Sequence, residues 1–187
     1  MTSDTTSPDV VTAQDTDITE QITAVLAQYQ ALWDTQEYAR LAELWDTEDP
    51  LPIYVPEEWT AGAITGWDAV TRYWDPIPGT VVLQAIRNVY SNVTAKLVAD
   101  DVAVAVFDLR YDMKIVGQPP TGGNDRVMAV FKRREGQWRF SAYIEAPLNP
   151  VALVRRLYQE SVPADFEDYL ATNGKEAAEG AALPWGS

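Results

Sequence analysis

The sequence contains no cysteine and no histidine among its 187 residues. The absence of cysteine excludes disulfides, thiolate zinc ligands and thiol nucleophiles, and the absence of histidine excludes Ser-His and Cys-His catalytic pairs. A metal could be bound only by carboxylates, carbonyls or water, which suit magnesium or calcium. We therefore expect neither a metal nor a cofactor, and proton transfer must use Asp, Glu, Tyr, Lys or Arg.

Basic residues are also scarce. Fourteen Lys and Arg stand against 28 Asp and Glu, which gives a net charge of −14. This charge opposes binding to nucleic acid and to anionic membranes. The longest apolar run, Val102 to Phe107, is too short to cross a bilayer, and the N-terminus lacks the apolar segment of a secretory signal. These features predict a cytoplasmic protein that binds neither nucleic acid nor membrane.

The length and the composition along the chain predict one folded domain. The first residues are rich in Ser, Thr and Asp, and the last ones are poor in core-forming residues, so both ends are predicted to be flexible. The predicted segments are a disordered acidic leader over 1–16, the domain over 17–147, a C-terminal helical extension over 148–172 and a flexible tail over 173–187.

Hydrophobic periodicity changes once along the domain. Apolar residues at helical spacing predict a helix over 18–33, a short helix with Leu41 and Trp45 on its buried side, and a helix over 66–74. From Thr80 onward the period is two, as in strands. The predicted strands cover 81–97, 102–115, 126–133 and 138–145, with a loop over 117–124. Helices followed by hairpin-connected strands predict an α+β fold, with helices packed on one face of a curved antiparallel sheet.

Three stretches, TGWDAVTRYW, IRNVYSNVTAK and REGQWRF, occur in this order. With the order of elements, they resemble the NTF2-like (SnoaL-like) superfamily over residues 17–147. The resemblance implies a cone-shaped α+β barrel, an apolar interior pocket with a few polar groups, and a homodimer. Within the superfamily, the chain is similar to the cofactor-independent diarylpropane lyases of lignin-dimer breakdown, which release water and formaldehyde to give a stilbene.

One predicted strand carries three charged side chains at alternate positions, Asp108, Arg110 and Asp112. Alternate residues of a strand share a face, so these three lie together. Arg110 and Asp112 resemble the Arg-x-Asp pair of limonene epoxide hydrolases, which implies that the Arg keeps the Asp ionised and polarises a substrate oxygen. The opposite face of the strand is apolar, so alternation alone leaves open which face lines the pocket.

Further candidates lie on the neighbouring strands. Ser141, Tyr143 and Glu145 share one face of the last strand by alternation, and Phe140 is predicted on the other. Tyr143 could donate a hydrogen bond to a substrate oxygen, and Glu145 could act as acid or base. Three more candidates, on strand 81–97, are Asn88, Asn92 and Lys96. The two amides are predicted to share a face and to orient a ligand hydroxyl, and Lys96 to stabilise an oxyanion.

The chain contains seven Trp and nine Tyr, and several of them cluster in the predicted helices and in the segment between these helices. Those predicted to bind a substrate are Tyr29, Trp33, Tyr54, Trp67 and Trp74. Such side chains suit flat aromatic ligands. The first hypothesis is therefore a lyase for an aromatic small molecule, with Arg110, Asp112, Tyr143 and Glu145 as catalytic residues. An epoxide hydrolase and a non-catalytic ligand-binding protein are the alternatives.

Overall fold

The computed structural model describes residues 13–57, 61–147 and 161–174. The chain divides into two compact units, Met1–Leu148 and Asn149–Ser187. Of the predicted leader, residues 1–12 lie outside the described residues, as do 148–160 of the extension and 175–187 of the tail. In the second unit, a helix spans Phe166–Asn173 (α3).

The first unit begins with helices. Helix α1 spans Ala13–Asp34, a 3-10 helix spans Tyr38–Leu44 and helix α2 spans Trp67–Trp74. All three were predicted, although α1 begins earlier than residue 18, inside the predicted leader. The apolar stripe of α1 is buried, including Ile18, Ile22 and Leu26. The helical spacing therefore identified the face that packs against the sheet.

Six strands form one open, curved sheet in the order β2-β1-β6-β5-β4-β3. The short strands are Ile53–Val55 (β1) and Ile64–Thr65 (β2), and the long ones are Leu83–Ala99 (β3), Val102–Ile115 (β4), Thr121–Arg134 (β5) and Gln137–Pro147 (β6). The α+β prediction is confirmed, but the sheet does not close into a barrel. Strand β1 pairs in parallel with β6, and the other neighbours are antiparallel. Strand β5 starts at Thr121, so the predicted loop is shorter than 117–124.

Helix α1 packs along strand β3, which is the last strand at one edge of the sheet. The Asp34 carboxylate accepts a hydrogen bond from the backbone N–H of Asn88 (2.7 Å), and the Thr19 hydroxyl accepts one from the backbone N–H of Ala95 (3.1 Å). These contacts satisfy polar groups of an edge strand that would otherwise be open to pairing with another chain. They also hold α1 across the inner face of the sheet.

Two bulges change which side chains face the interior. The β3–β4 register shifts between Ser91 and Thr94, where Asn92 has a positive φ of 52°. The β5–β6 register shifts between Val130 and Phe131, which leaves Ser141 as the extra residue in β6. A bulge moves the following residues to the opposite face of the alternation. The rings of Phe140 and Tyr143 are therefore both buried inside, with centroids 5.8 Å apart, contrary to the prediction from simple alternation.

The buried carboxylate of Asp49 connects the segment before β1 to the sheet. It accepts hydrogen bonds from Lys132 Nζ (2.7 Å) and Ser141 Oγ (2.5 Å). The backbone N–H of Leu51 donates to its other oxygen (3.0 Å), and Trp67 Nε1 donates to its backbone carbonyl (3.0 Å). Burial alone would raise the pKa of Asp49, but these hydrogen bonds outweigh it and lower the pKa to about 2.

We predict that Asp49→Asn lowers the free energy of unfolding by about 2 kcal/mol at pH 7. Because the folded-state pKa is depressed from 3.8 to about 2, the stabilisation is present above pH 3.8 and is lost as the pH falls towards 2. Urea unfolding of both proteins between pH 7 and pH 2 measures this difference. Asp100→Asn, in an exposed turn, is the control. An Asp49→Asn protein as stable as the wild type at pH 7 would contradict the assignment.

Candidate active site

A cavity of about 700 Å³ opens between the inner face of the sheet and the helices. Trp33 of α1 and Trp74 of α2 contribute to its wall. Six tyrosines also line it, Tyr38, Tyr54, Tyr73, Tyr90, Tyr111 and Tyr143. The segment between α2 and β3, which includes Pro76 and Val81, forms one side of the opening. A cavity of this size, with aromatic and aliphatic walls and a limited number of polar groups, is typical of a small-molecule site.

Tyr90 and Tyr143 form the polar centre of this aromatic surface. Their hydroxyl oxygens lie 3.4 Å apart, and the rings of Tyr54 and Tyr143 are stacked with centroids separated by 5.2 Å. The stacking follows from the register, since Tyr54 of β1 is the partner of Tyr143 in β6. Burial raises the pKa of Tyr54, Tyr90 and Tyr143 well above the usual value. A tyrosine hydroxyl is protonated at neutral pH in any case, and the raised pKa keeps these three protonated into the alkaline range, so they can donate hydrogen bonds.

Three carboxylates among the described residues line the cavity, Glu57, Asp75 and Glu145. The backbone N–H of Glu57 donates to Glu145 Oε2 (3.0 Å), and the hydroxyl of Tyr111 donates to Glu57 Oε1. After burial, the nearby charge of Glu145 contributes to the raised pKa of Tyr54, Tyr90 and Tyr143. The arrangement thus places a proton-accepting carboxylate within the same cavity as hydroxyl donors.

Gly123 allows Tyr111 to reach Glu57. A Cβ atom at Gly123 would lie 2.6 Å from the Tyr111 hydroxyl oxygen, closer than real Cβ contacts allow. Gly123 and Tyr111 are register partners on β5 and β4. The missing side chain therefore lets the Tyr111 ring lie over the neighbouring strand. Burial, followed by the hydrogen bond to Glu57, raises the pKa of Tyr111.

The predicted site residues divide between two faces of the sheet. Six of them line the cavity, namely Trp33, Tyr54, Trp74, Asn88, Tyr143 and Glu145. Tyr29 and Trp67 do not line it. Tyr29 is fully buried behind the cavity, where its ring contacts Tyr143 with centroids 5.8 Å apart. Trp67 packs against the buried Trp45, with centroids 6.3 Å apart, and bonds Asp49.

The charged candidates of β4 lie on the outer face of the sheet. Arg87 and Arg110 both pair with Asp112, and their hydrogen bonds lower its pKa. Asn92 Nδ2 donates to Asp108 Oδ2 (2.7 Å), and Lys96 is exposed on the same outer face. Exposed ion pairs of this kind add little stability. The sequence left open which face of β4 lines the pocket. The apolar alternate residues of β4 face inward, so the candidates Asp108, Arg110 and Asp112 lie outside the cavity wall.

Asn88 and Asn92 also separate, although sequence spacing predicted a shared face. Asn88 faces the cavity and is 4% exposed, whereas Asn92 occupies the bulge. The bulge resets the alternation between the two positions.

Sequence reasoning missed the cavity-facing groups Glu57, Tyr90 and Tyr111. Tyr90 and Tyr111 lie at inward positions of the alternation along β3 and β4. Once one inward residue of each strand is known, the alternation predicts that both tyrosines face the cavity. Glu57 lies after β1 without any periodic pattern. Glu57 lies beside Glu145 because β1 pairs with β6, and the spacing of residues around Glu57 does not predict this pairing.

The family comparison now adds to this geometry. Residues 22–145 match the model of the SnoaL-like domain, and the chain belongs to that family. A comparison with curated proteins gave no match. In the described parts of the chain, no helix combines the length and apolar character needed to cross a bilayer.

Several solved structures share the fold. A candidate scytalone dehydratase from Novosphingobium aromaticivorans is 18% identical with a TM-score of 0.62, covering 72% of this chain and 88% of that one. Hexachlorocyclohexane dehydrochlorinase LinA type 2 is 17% identical with a TM-score of 0.56, covering 72% and 95%. The CaMKII hub homology domain of Chlamydomonas reinhardtii is 15% identical with a TM-score of 0.56, covering 71% and 99%. At these identities the similarity establishes a common fold.

We predict that most tyrosines of the native protein resist ionisation. Among the tyrosines that the structure describes, the pKa is raised for Tyr29, Tyr38, Tyr54, Tyr90, Tyr111 and Tyr143, six of the nine in the sequence. Since the raised pKa belongs to the folded state, the stabilisation is present below the unfolded pKa of about 10 and is lost as the pH rises above it. Rapid titration at 295 nm to pH 11 should give less than half of the absorbance change of the urea-unfolded protein. Full ionisation of the folded protein near pH 10 would contradict the prediction.

Proposed function

We propose that the protein is a cofactor-independent lyase that acts on an aromatic small molecule by acid–base chemistry. The observation that carries the proposal is the position of Glu145 beside Tyr143 and Tyr90 in an aromatic cavity. Positioned carboxylates and hydroxyl donors are the two groups that an elimination requires, one to accept a proton and one to hold the oxygen.

In the proposed step, the hydroxyls of Tyr90 and Tyr143 donate hydrogen bonds to a benzylic hydroxyl of the substrate. In a simple dehydration the carboxylate of Glu145 accepts the proton of the carbon next to the benzylic carbon, the electron pair of that carbon–hydrogen bond forms the carbon–carbon double bond, and the benzylic carbon–oxygen bond breaks. The leaving hydroxide takes the proton from Glu145 and departs as water. The carboxylate is then ready for another turnover.

The concrete substrate class is a lignin-derived diarylpropane with a primary hydroxyl on its third carbon. In this substrate Glu145 would remove the proton of the primary hydroxyl instead: the oxygen's electron pair forms the carbonyl of formaldehyde, the carbon–carbon bond breaks, its electron pair forms the stilbene double bond, and the benzylic hydroxyl leaves. The products are then a stilbene, formaldehyde and water, and all atoms of the substrate are accounted for. The aromatic walls, with Trp33 and Trp74 among them, suit two aryl rings.

The similar structures are compatible with this class of reaction, because two of them are named as a dehydratase and a dehydrochlorinase. An epoxide hydrolase built on Arg110 and Asp112 is less favoured, since both side chains lie on the outer face of the sheet. A non-catalytic binding role for the cavity is the outcome that the following experiment would reveal.

We predict that Glu145→Gln lowers the turnover of a diarylpropane by about 10²- to 10⁴-fold while binding of the stilbene product is retained. The amide has nearly the same shape but accepts no proton at neutral pH. Formaldehyde release measures turnover, and tryptophan fluorescence measures binding. Glu48→Gln is the charge-matched control, with its side chain 80% exposed. Tight binding without turnover by the wild type, across diarylpropanes and epoxides, would instead favour a binding protein.

We also propose that the protein forms a homodimer through the outer face of the sheet. Val106 and Met128 are register partners on this face and are 39% and 44% exposed. Ile144 continues the apolar row as the partner of Met128. Exposed apolar rows of this kind are common at protein interfaces.

Light scattering of the wild type is therefore expected to give twice the mass of one chain. Met128→Lys should shift the protein to a single chain, because it places a charge in the centre of the apolar row. Val116→Lys, at an exposed valine outside the row, is the control. A wild type that remains a single chain at high concentration would refute the dimer.

A further inference from the structure

We infer that Tyr111 is a positioning residue for the proposed reaction. Through Glu57, its hydroxyl holds the carboxylate of Glu145 in one orientation within the cavity. The inference rests on the proposed function for the role of Glu145 as proton acceptor. The contacts that carry it join separate parts of the chain, and they can be tested both with and without turnover.

The backbone of Glu57 holds one oxygen of the Glu145 carboxylate. The Glu57 N–H donates to Glu145 Oε2 (3.0 Å), across 88 positions of the sequence. Hydrogen bonds are directional, so an N–H aimed at one carboxylate oxygen restricts rotation of the whole group. A proton acceptor must lie within hydrogen-bond reach of the proton that it takes, so the orientation of this carboxylate affects the rate of the reaction.

Glu57 lies beyond the strand that leads to it, so its own position depends on further contacts. Strand β1 ends at Val55, whose register partner in β6 is Ile144. Glu57 follows two residues later, and its N–H bonds a side chain instead of the backbone of the neighbouring strand. The hydroxyl of Tyr111 donates to Glu57 Oε1 and thereby ties this residue to β4.

The neighbouring strand leaves room for the ring of Tyr111. Gly123 is the register partner of Tyr111 on β5, and a Cβ at this position would lie 2.6 Å from the hydroxyl oxygen and 2.7 Å from the ring. A side chain at position 123 would therefore displace the ring. Burial, followed by the hydrogen bond to Glu57, raises the pKa of Tyr111, so the hydroxyl remains a donor. Contacts thus continue from β5 through Tyr111 and Glu57 to Glu145.

Tyr111→Phe removes the hydroxyl and keeps the ring. We expect kcat for a diarylpropane to fall about 10- to 100-fold, while the affinity for the stilbene product stays within about twofold of the wild type. Glu57→Ala should have the same effect, and the double variant should be no slower than either single variant, because both changes remove one contact. Tyr169→Phe, at a tyrosine that is 61% exposed on α3, is the control for the loss of a hydroxyl.

Glu57→Gln is the conservative variant that separates the hydrogen bond from the charge. Its carbonyl oxygen still accepts a hydrogen bond from the Tyr111 hydroxyl, so we expect turnover within about threefold of the wild type. A purely structural role of this segment would not distinguish Gln from Ala at position 57 in kcat while leaving product affinity unchanged.

Amide exchange measures the contact without a substrate. The N–H of Glu57 donates to Glu145 in the folded protein, so it is protected from exchange with solvent. We expect this N–H to exchange about 5- to 10-fold faster in Tyr111→Phe than in the wild type, as measured by NMR. Gly123→Ala is a second variant. Its Cβ would displace the ring of Tyr111, so exchange should also be faster although the hydroxyl is present.

A folded Tyr111→Phe protein with wild-type turnover would overturn the inference, as would equal losses of turnover and product affinity. Additive losses in the double variant, or an unchanged exchange rate of the Glu57 N–H, would also overturn it. Full turnover in Glu145→Gln is a different result. It removes the lyase mechanism and the catalytic part of this inference, whereas the exchange rate of the Glu57 N–H tests the contact by itself.

Discussion

The cavity depends on one constraint, the burial of tyrosine hydroxyls close to the carboxylate of Glu145. Tyr54, Tyr90 and Tyr143 are packed by ring stacking and by the sheet, and their burial raises the pKa of each hydroxyl well above its ordinary value. Their hydroxyls are hydrogen-bond donors at neutral pH, and those of Tyr90 and Tyr143 lie 3.4 Å apart. The same burial keeps the hydroxyls available to a ligand in a largely apolar space, where hydrogen bonds are stronger than in water.

The polar groups of the cavity come from distant parts of the chain. Glu145 lies on the last strand, and Glu57 follows the first strand and donates its N–H to Glu145. Tyr111 reaches Glu57 across Gly123, so a glycine on a third strand contributes to the position of a carboxylate. Each of these contacts joins residues separated by many positions in sequence. The site is consequently a property of the sheet register as much as of any motif.

The elements themselves were largely predictable. Strand β4 has the bounds that its alternation predicted, and α1 buries the stripe that its helical spacing predicted. These predictions succeeded because apolar periodicity reports directly which side of a helix or strand is buried. Tyr143 and Glu145 were also identified correctly as sharing a face, and both line the cavity. Arg110 and Asp112 were candidates because charged residues at alternate positions of a strand fit a pocket wall. They fit a solvent-exposed face equally well, and the sequence does not distinguish the two.

The sequence by itself determined the available chemistry. Without cysteine and histidine, proton transfer must depend on Asp, Glu, Tyr, Lys or Arg, and this conclusion needs no coordinates. The tertiary structure decided which of those groups meet. The bulges at Asn92 and Ser141 reset the alternation within single strands, and so placed Asn88 inside and Asn92 outside. The physical reason is that a bulge is stabilised by its pairing with the neighbouring strand, whereas periodicity reports only residues of the same strand.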